Sequence, residues 1–269
     1  RNYKPSLINT QKNRPRRGNP ATFTEQRISK PGTFTAAART GMVTTWSPTS
    51  GAAMKSDDLA FSGKLTTNIK LPYRTYIPDH YSENDPDGLP LLLFLHGAGE
   101  RGDDLTALTA TALPKQLEEG LQLPFVTVCP QCPLGRAWDE RELLALLDRV
   151  IADYNVDQSR VYLTGLSMGG RGTWQLANLA GDRFAAIIPI CPPFLWVNPD
   201  NFKALPIWCF HGVMDSVVPI TDSVKMVRLL RNAGCQVEFT TYANADHDSW
   251  TQTYTNPKIY DWLLSHRRH

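Results

Sequence analysis

The chain has 269 residues, of which 42% are hydrophobic, and this length and composition suit one α/β domain with a sizeable core. Its net charge is +2, but residues 1–40 hold nine Lys and Arg against one Glu, whereas the rest of the chain holds 19 basic against 25 acidic residues. This mildly acidic body argues against a nucleic-acid-binding protein, and no segment approaches the roughly 20 apolar residues that a membrane span needs.

The basic residues concentrate at the start of the chain, and we expect residues 1–34 to form a disordered tail. Residues 1–20 have little apolar content to bury. The basic run at residues 14–17 could touch nucleic acid or an anionic surface, but a solvated leader is the simpler interpretation. No signal peptide is visible and the chain starts at Arg1, so secretion and a cytoplasmic location both stay open.

The first predicted strands lie between residues 35 and 95. Short β-prone runs such as residues 42–46 predict an antiparallel edge to a sheet. The fully apolar run 91–95 is typical of a strand that is buried on both faces. A His-Gly-Ala-Gly turn follows at residues 96–99, and such a turn can aim a backbone N–H at developing negative charge. We predict that the N–H of Ala98 is such a donor.

Residues 125–129 form the next predicted strand, and a CxxC pair at residues 129–132 ends it. No second cysteine pair supports a zinc site, so we interpret this pair as structural and predict no metal. The chain has five cysteines, an odd number that leaves at least one unpaired, and pairing of Cys191 with Cys209 stays open. Residues 140–154 carry an apolar stripe at helical spacing, which predicts a core-facing helix.

A strand at residues 161–164 leads into the pentapeptide Gly165-Leu166-Ser167-Met168-Gly169, and a helix is predicted to follow. A serine on such a sharp turn has its hydroxyl pushed clear of the backbone, and the flanking glycines avoid a collision across the turn. We predict that Ser167 is a nucleophile and that the N–H of Met168, at the helix N-terminus, is a second oxyanion donor. A glycine-rich loop with an incidental serine is the alternative.

The connection that follows the predicted strand 186–190 is short. Residues 191–205 are too few for a helical cap domain, so we expect an open cleft. Phe194 and Trp196 in this connection, with Trp138 and Trp250 elsewhere in the chain, are candidate substrate-binding residues. Core packing is the alternative interpretation for each of these aromatic side chains.

Two candidate partners for Ser167 lie just beyond the ends of the last predicted strands. Asp215 follows the strand 207–210, and His247 follows the strand 237–242. Both positions lie at the edge of an open α/β sheet where active sites form, and the order serine, acid, histidine suits this architecture. We predict that His247 takes the proton from Ser167 and that Asp215 orients the imidazole ring. Helices are also predicted at residues 222–232 and 257–265.

Other acids and histidines give alternative assignments. Asp246 and Asp248 flank His247 but share its loop, and adjacent residues rarely orient one another's rings. We interpret His211, at a strand end before the acid, as structural. The remaining histidines are His96, which opens the glycine turn and comes too early in the chain, and His80, His266 and His269, which we interpret as solvated.

These stretches together resemble the α/β-hydrolase superfamily over about residues 61–264. They look most like small carboxylesterases of the phospholipase/carboxylesterase and polyhydroxyalkanoate-depolymerase type, often described as predicted peptidases. We therefore predict that residues 35–269 form a single α/β-hydrolase catalytic domain, with a mostly parallel sheet, helices on both faces and no large cap. The resemblance also implies a triad of Ser167, Asp215 and His247, and an oxyanion hole formed by Ala98 and Met168. The matching stretches are residues 71–78, 94–102, 130–133, 138–139, 162–170 and 247–250.

One stretch departs from this family. Relatives tend to continue the strand 186–190 with Cys-Gly-Gly, whereas this chain has Cys-Pro-Pro-Phe-Leu-Trp at residues 191–196. The substrate preference of relatives is therefore not carried over.

The sequence predicts a serine carboxylesterase that acts through an acyl-enzyme intermediate and needs no cofactor. The expected substrate is a small-molecule or polymer-borne ester. A serine peptidase with the same triad and an inactive hydrolase-fold binding protein are the alternatives. The acyl group, the alcohol and the oligomeric state are not determined by the sequence.

Overall fold

The computed structural model describes residues 68–268. The predicted tail, residues 1–34, and the β-prone run 42–46 lie outside the described residues. The strands are β1 (Tyr73–Tyr76), β2 (Leu89–Leu95), β3 (Val126–Pro130), β4 (Val156–Leu166), β5 (Ala186–Ile190), β6 (Ile207–Gly212) and β7 (Val237–Tyr242).

These seven strands form one sheet in the order β1-β3-β2-β4-β5-β6-β7. Strand β1 pairs antiparallel with β3, and every other neighbouring pair is parallel. Because parallel strands end at the same edge, the loops after β2, β4, β6 and β7 meet at one edge of the sheet. This edge brings together the segments that carry the predicted site residues.

The helices are α1 (Ala112–Glu118), α2 (Glu140–Asp153), α3 (Met168–Ala180), α4 (Ile220–Asn232), α5 (Trp250–Tyr254) and α6 (Lys258–Leu264). Asp139 is the N-cap of helix α2, and its carboxylate accepts the N–H groups of Arg141 and Glu142 at 2.9 and 3.1 Å. Within residues 68–268, no helix has both the length and the apolar content to cross a membrane.

The side chains of β2 alternate between two hydrophobic layers. Leu91, Leu93 and Leu95 pack with buried residues of α2, α3 and α4, whereas Leu92 and Phe94 pack with residues of α1, α5 and α6. The strand is therefore buried on both faces, as its continuous apolar run predicted. The predicted fold class, a mostly parallel sheet with helices on both faces, is confirmed.

The connection between β5 and β6 contains no cap domain. Residues 191–206 hold a single 3-10 turn, Pro199–Phe202. The prediction that no large cap domain is inserted here is therefore confirmed for residues 68–268.

All five cysteines of the chain lie within the described residues, and all five are free and buried. Cys191 and Cys209, whose pairing the sequence left open, do not form a disulfide. Cys129 and Cys132 are buried side chains of the core, which agrees with the structural interpretation of the CxxC pair.

Candidate active site

Ser167 occupies the sharp turn between β4 and α3. Its backbone is in a sparsely populated conformation, with φ 53° and ψ −115°, and the side chain is half-exposed. A Cβ at Gly165 would lie 2.5 Å from the carbonyl oxygen of Gly169, and a Cβ at Gly169 would collide with the backbone of Leu95. Only glycine fits at both positions, and this tight packing stabilises a backbone conformation that costs about 1–3 kcal/mol.

Three loops bring a serine, a histidine and an aspartate into hydrogen-bond contact. His247 Nε2 lies 3.0 Å from Ser167 Oγ, and His247 Nδ1 lies 2.8 Å from Asp215 Oδ2. The Asp215 side chain is 0% exposed, and that of His247 is 18% exposed. In this arrangement the Nδ1–H donates to the carboxylate, which leaves Nε2 free to accept the serine proton.

The carboxylate of Asp215 is surrounded by donors. Its Oδ1 accepts the N–H groups of Val217 and Val218 at 2.9 and 2.8 Å. Its Oδ2 accepts from His247 and also lies 3.2 Å from Nε2 of the buried His211. The carboxylate is therefore held in place by backbone and imidazole N–H groups. The contact with His211 was not predicted.

The two alternative acids make other contacts. Asp246 Oδ1 accepts the backbone N–H of Ser216 at 2.7 Å and that of His247 at 2.8 Å. The carboxylate of Asp248 accepts the N–H and the hydroxyl of Thr251, both at 2.9 Å. Within residues 68–268, Asp215 is the acid that contacts Nδ1 of the His247 ring.

The glycine turn after β2 lies beside the nucleophile. A Cβ at Gly97 would lie 3.8 Å from Cβ of Ser167, and the next residue, Ala98, is exposed. The carbonyl of Ala98 accepts a hydrogen bond from Arg101 Nε at 2.9 Å, which holds the Ala98–Gly99 peptide that follows the N–H of Ala98. Among residues 68–268, the N–H groups of Ala98 and Met168 have no acceptor. Both remain available to an oxyanion. No local pattern in the sequence predicts the contact of Arg101.

The buried ring of His96 holds this turn by two hydrogen bonds. Its Nδ1–H donates to the carbonyl of Gly97 at 2.5 Å, and its Nε2 accepts the N–H of Cys132 at 2.9 Å. Burial lowers the pKa of His96 to about 4, so the ring is neutral near pH 7. His96 is therefore a structural residue of the turn.

Trp138 also supports the turn. It is 5% exposed, and its Nε1–H donates to the carbonyl of His96 at 3.1 Å. The ring of His96 packs edge-on against that of Trp138, with centroids 4.7 Å apart. The indole lies beneath the turn, which agrees with the alternative interpretation of core packing, and substrate binding by Trp138 stays a prediction.

The other three aromatic candidates lie at the catalytic edge. Trp196 is 81% exposed and packs edge-on against the half-buried Phe194, with centroids 5.5 Å apart. The backbone of Phe194 is held on both sides: its carbonyl accepts from Arg171 at 3.1 Å, and its N–H donates to Asp222 at 3.0 Å. These two hydrogen bonds hold the backbone of Phe194 in place. Substrate binding by Phe194 and Trp196 stays a prediction.

Trp250 packs against the histidine of the site. Its ring is perpendicular to that of His247, with centroids 5.3 Å apart, and its Nε1–H donates to Thr111 Oγ1 at 3.1 Å. The indole therefore limits the movement of the imidazole. Substrate binding by Trp250 also stays a prediction.

One group of side chains at the site has the composition of a metal site. Candidate ligand atoms of Cys191, Asp215 and His247 lie within 4.8 Å of one another. However, Asp215 and His247 already bind each other, and burial raises the pKa of the Cys191 thiol to about 12. A protonated thiol is a poor metal ligand, so this group does not suit a metal ion.

The sequence is similar to known hydrolases. Residues 137–258 match the model of the dienelactone hydrolase family. The chain is 26% identical over 188 residues to "Probable feruloyl esterase C" of Aspergillus niger. This match covers 67% of this chain and 68% of that protein. It is also 26% identical over 194 residues to a bifunctional acetylxylan esterase/xylanase of Neocallimastix patriciarum. This match covers 70% of this chain and 27% of that protein. The chain thus spans about a quarter of the length of this larger relative.

Solved structures of esterases share the fold. A thermostable esterase is 32% identical with a TM-score of 0.63, and the match covers 75% of this chain and 60% of that one. Esterase Est2 of Thermogutta terrifontis matches with a TM-score of 0.56 at 16% identity, over 73% of this chain and 87% of that one. The second likeness, at this low identity, concerns the fold alone.

Proposed function

We propose that this chain, a member of the α/β-hydrolase superfamily among the esterase-type hydrolases related to dienelactone hydrolase, is a serine carboxylesterase. The observation that carries this proposal is the hydrogen-bonded line from Asp215 through His247 to Ser167, with contacts of 2.8 and 3.0 Å. This line ends at a half-exposed serine on the open edge of the sheet. The arrangement suits nucleophilic attack on an acyl carbon.

In the acylation step, Ser167 Oγ attacks the ester carbonyl while its proton passes to His247 Nε2. Asp215 stabilises the imidazolium that forms and holds its Nδ1–H. The tetrahedral intermediate collapses and expels the alcohol, which takes the proton from Nε2. In the second step water attacks the acyl-serine with His247 as the base, and the carboxylic acid leaves.

The N–H groups of Ala98 and Met168 are proposed to bind the oxyanion of each tetrahedral intermediate. Both are free of other acceptors among residues 68–268, and the Met168 N–H lies at the N-terminus of α3. Fixed donors of this kind each contribute about 3 kcal/mol to the stabilisation of a transition state. The N–H of Ala98 belongs to the Gly97–Ala98 peptide, whose carbonyl accepts the Nδ1–H of His96.

We propose that the substrates are acetyl or hydroxycinnamoyl esters of carbohydrates, including polymer-borne esters. Two features support this. Curated relatives are named acetylxylan esterase and feruloyl esterase. The exposed Trp196 offers an aromatic face at an edge without a cap in residues 68–268, and such a face is accessible to a polymer chain.

The test compares ester and amide hydrolysis by the pure protein. We expect turnover of p-nitrophenyl acetate and methyl ferulate, and little turnover of a peptide p-nitroanilide. A fluorophosphonate probe should label the wild type, should fail to label Ser167→Ala, and should still label Ser265→Ala, in which an exposed serine is removed. Faster cleavage of the anilide would favour a peptidase. Absence of labelling in the wild type would favour a binding protein.

A further inference from the structure

A second histidine contacts the carboxylate of the proposed triad. His211, at the end of β6, is fully buried. Its Nε2 lies 2.9 Å from the carbonyl oxygen of Val218 and 3.2 Å from Asp215 Oδ2. Its Nδ1 lies 2.7 Å from Ser223 Oγ. The ring therefore connects the acid and its turn to α4.

The neighbours of His211 determine its tautomer. Both groups near Nε2, a carbonyl and a carboxylate, are acceptors, so Nε2 carries the hydrogen. Nδ1 then accepts the hydroxyl proton of Ser223, and the hydroxyl oxygen in turn lies 3.5 Å from the thiol of Cys209. Burial lowers the pKa of His211, which keeps the ring neutral. A neutral donor adds no positive charge that would oppose protonation of His247.

The turn that carries Asp215 is held at both ends. The N–H of Val218 donates to Asp215 Oδ1, and the carbonyl of Val218 accepts from His211. Asp215 Oδ2 accepts from His247 Nδ1 and also lies 3.2 Å from His211 Nε2, whose one hydrogen it shares with the carbonyl of Val218. Without His211, the two backbone N–H groups would still hold Oδ1, but the His247 Nδ1–H alone would fix the position of Oδ2.

We infer that His211 is a positioning residue, which holds the Asp215 carboxylate in the orientation that accepts the Nδ1–H of His247. This inference rests on the proposed function, because it concerns the acid of the proposed triad. His211 touches neither the nucleophile nor a substrate, and it acts through Asp215 alone.

Four other titratable groups face this pair, and three of them do not titrate between about pH 5 and 9. Burial raises the pKa of the Cys191 and Cys209 thiols to about 12. The backbone N–H of Ser216 holds the pKa of Asp246 below its ordinary value. The fourth group is His247, which contacts both Ser167 and Asp215.

The test replaces His211 by asparagine and by glutamine. A glutamine can place an amide N–H near the position of Nε2, whereas an asparagine reaches only the position of Nδ1. In His211→Asn we expect kcat for p-nitrophenyl acetate to fall roughly 10- to 100-fold with KM nearly unchanged, because a hydrogen bond to a charged group is lost. In His211→Gln most of the activity should remain.

The pH profile separates positioning from packing. Loss of the donor leaves more negative charge on Asp215 for His247, so the acid limb of kcat/KM in His211→Asn should move up by about half a pH unit. His211→Gln should retain the wild-type limb. The matched control is His266→Gln, in a histidine near the chain end, which should change neither quantity. Equal losses in the two His211 variants, or an unchanged limb in His211→Asn, would overturn the inference.

A second variant and a spectroscopic readout cover the remaining outcomes. If His211→Asn does not fold, Ser223→Ala, which removes the partner of Nδ1, should lower kcat roughly 3- to 10-fold; an unchanged kcat there overturns the inference. The downfield proton NMR signal of the His247 Nδ1–H should shift in His211→Asn and stay in place in His211→Gln. This readout needs no substrate, so it still decides on His211 if the wild type hydrolyses no ester and the proposed function fails.

Discussion

Replacement of Asp215 by asparagine should lower ester turnover by three to four orders of magnitude. Both carboxylate oxygens face donors only: Oδ1 faces the N–H groups of Val217 and Val218, and Oδ2 faces His247 and His211. An asparagine has one acceptor oxygen and one NH2 group. Its NH2 group must therefore face either the two backbone N–H groups or the two histidine rings, all of which are donors. The substitution therefore creates a mismatch at either side.

The less costly orientation points the asparagine oxygen at the two backbone N–H groups, which cannot change their protonation. The NH2 group then faces His247 Nδ1, which can accept it only by losing its own hydrogen. The proton moves to Nε2, and a neutral ring in this tautomer cannot take the proton of Ser167. A loss of about 10³- to 10⁴-fold in kcat corresponds to about 4–5.5 kcal/mol of transition-state stabilisation.

The assay is kcat and KM for p-nitrophenyl acetate, with thermal unfolding measured in parallel. The unfolding free energy of Asp215→Asn should fall by about 1–3 kcal/mol, because buried donors lose an acceptor. Asp246→Asn and Asp248→Asn are the matched controls, since their carboxylates do not bind the His247 ring. Activity of Asp215→Asn within tenfold of the wild type, or a larger loss in either control, would refute this assignment of the acid.

Three further outcomes are expected at or near the site. Arg101→Met should lower kcat about tenfold at constant KM, because the glycine turn loses the donor to its Ala98 carbonyl, and this leaves the adjoining Gly97–Ala98 peptide, whose N–H is proposed to bind the oxyanion, less firmly held; a change below twofold would contradict this. Combined replacement of Phe194 and Trp196 by alanine should shift kcat/KM toward bulkier acyl groups by about 1–3 kcal/mol, measured with esters from acetyl to decanoyl and with methyl ferulate; an unchanged acyl profile would place the acyl pocket elsewhere. The pKa of His96 falls from 6.5 to about 4 on folding, so its neutral form stabilises the protein above pH 6.5 and this contribution, about 3 kcal/mol, is lost as pH falls toward 4. In urea unfolding at several pH values, the free energy of unfolding should fall less between pH 6.5 and 4 in His96→Gln than in the wild type. An equal fall in the two proteins would contradict this prediction.

Much of the fold follows from local patterns. The apolar run before His96 and the alternation of strands with helices predicted a parallel sheet, because burial on both faces removes every polar position from a strand. The glycines around Ser167 predicted the sharp turn, since a Cβ at either position would collide with the backbone. Such signals depend on neighbouring residues alone, and the sequence therefore contains them.

Short elements gave no such signal. Helices α1 and α5, of seven and five residues, are too short for a helical period to show, and neither was predicted. Strand β4 begins at Val156, earlier than its predicted start at residue 161, because its first half is polar and gains its pairing from β2. The start of β4 therefore depends on its pairing with the neighbouring strand β2.

The details of the site were decided by tertiary structure. The sequence placed Asp215 and His247 at strand ends, but the order of the strands in the sheet decides which acid reaches the ring. The same packing places Trp138 beneath the turn of His96 and brings His211 against Asp215. A sequence pattern gives the spacing of residues along one element, whereas distances between loops from different strands are fixed only when the sheet and its two helical layers pack together.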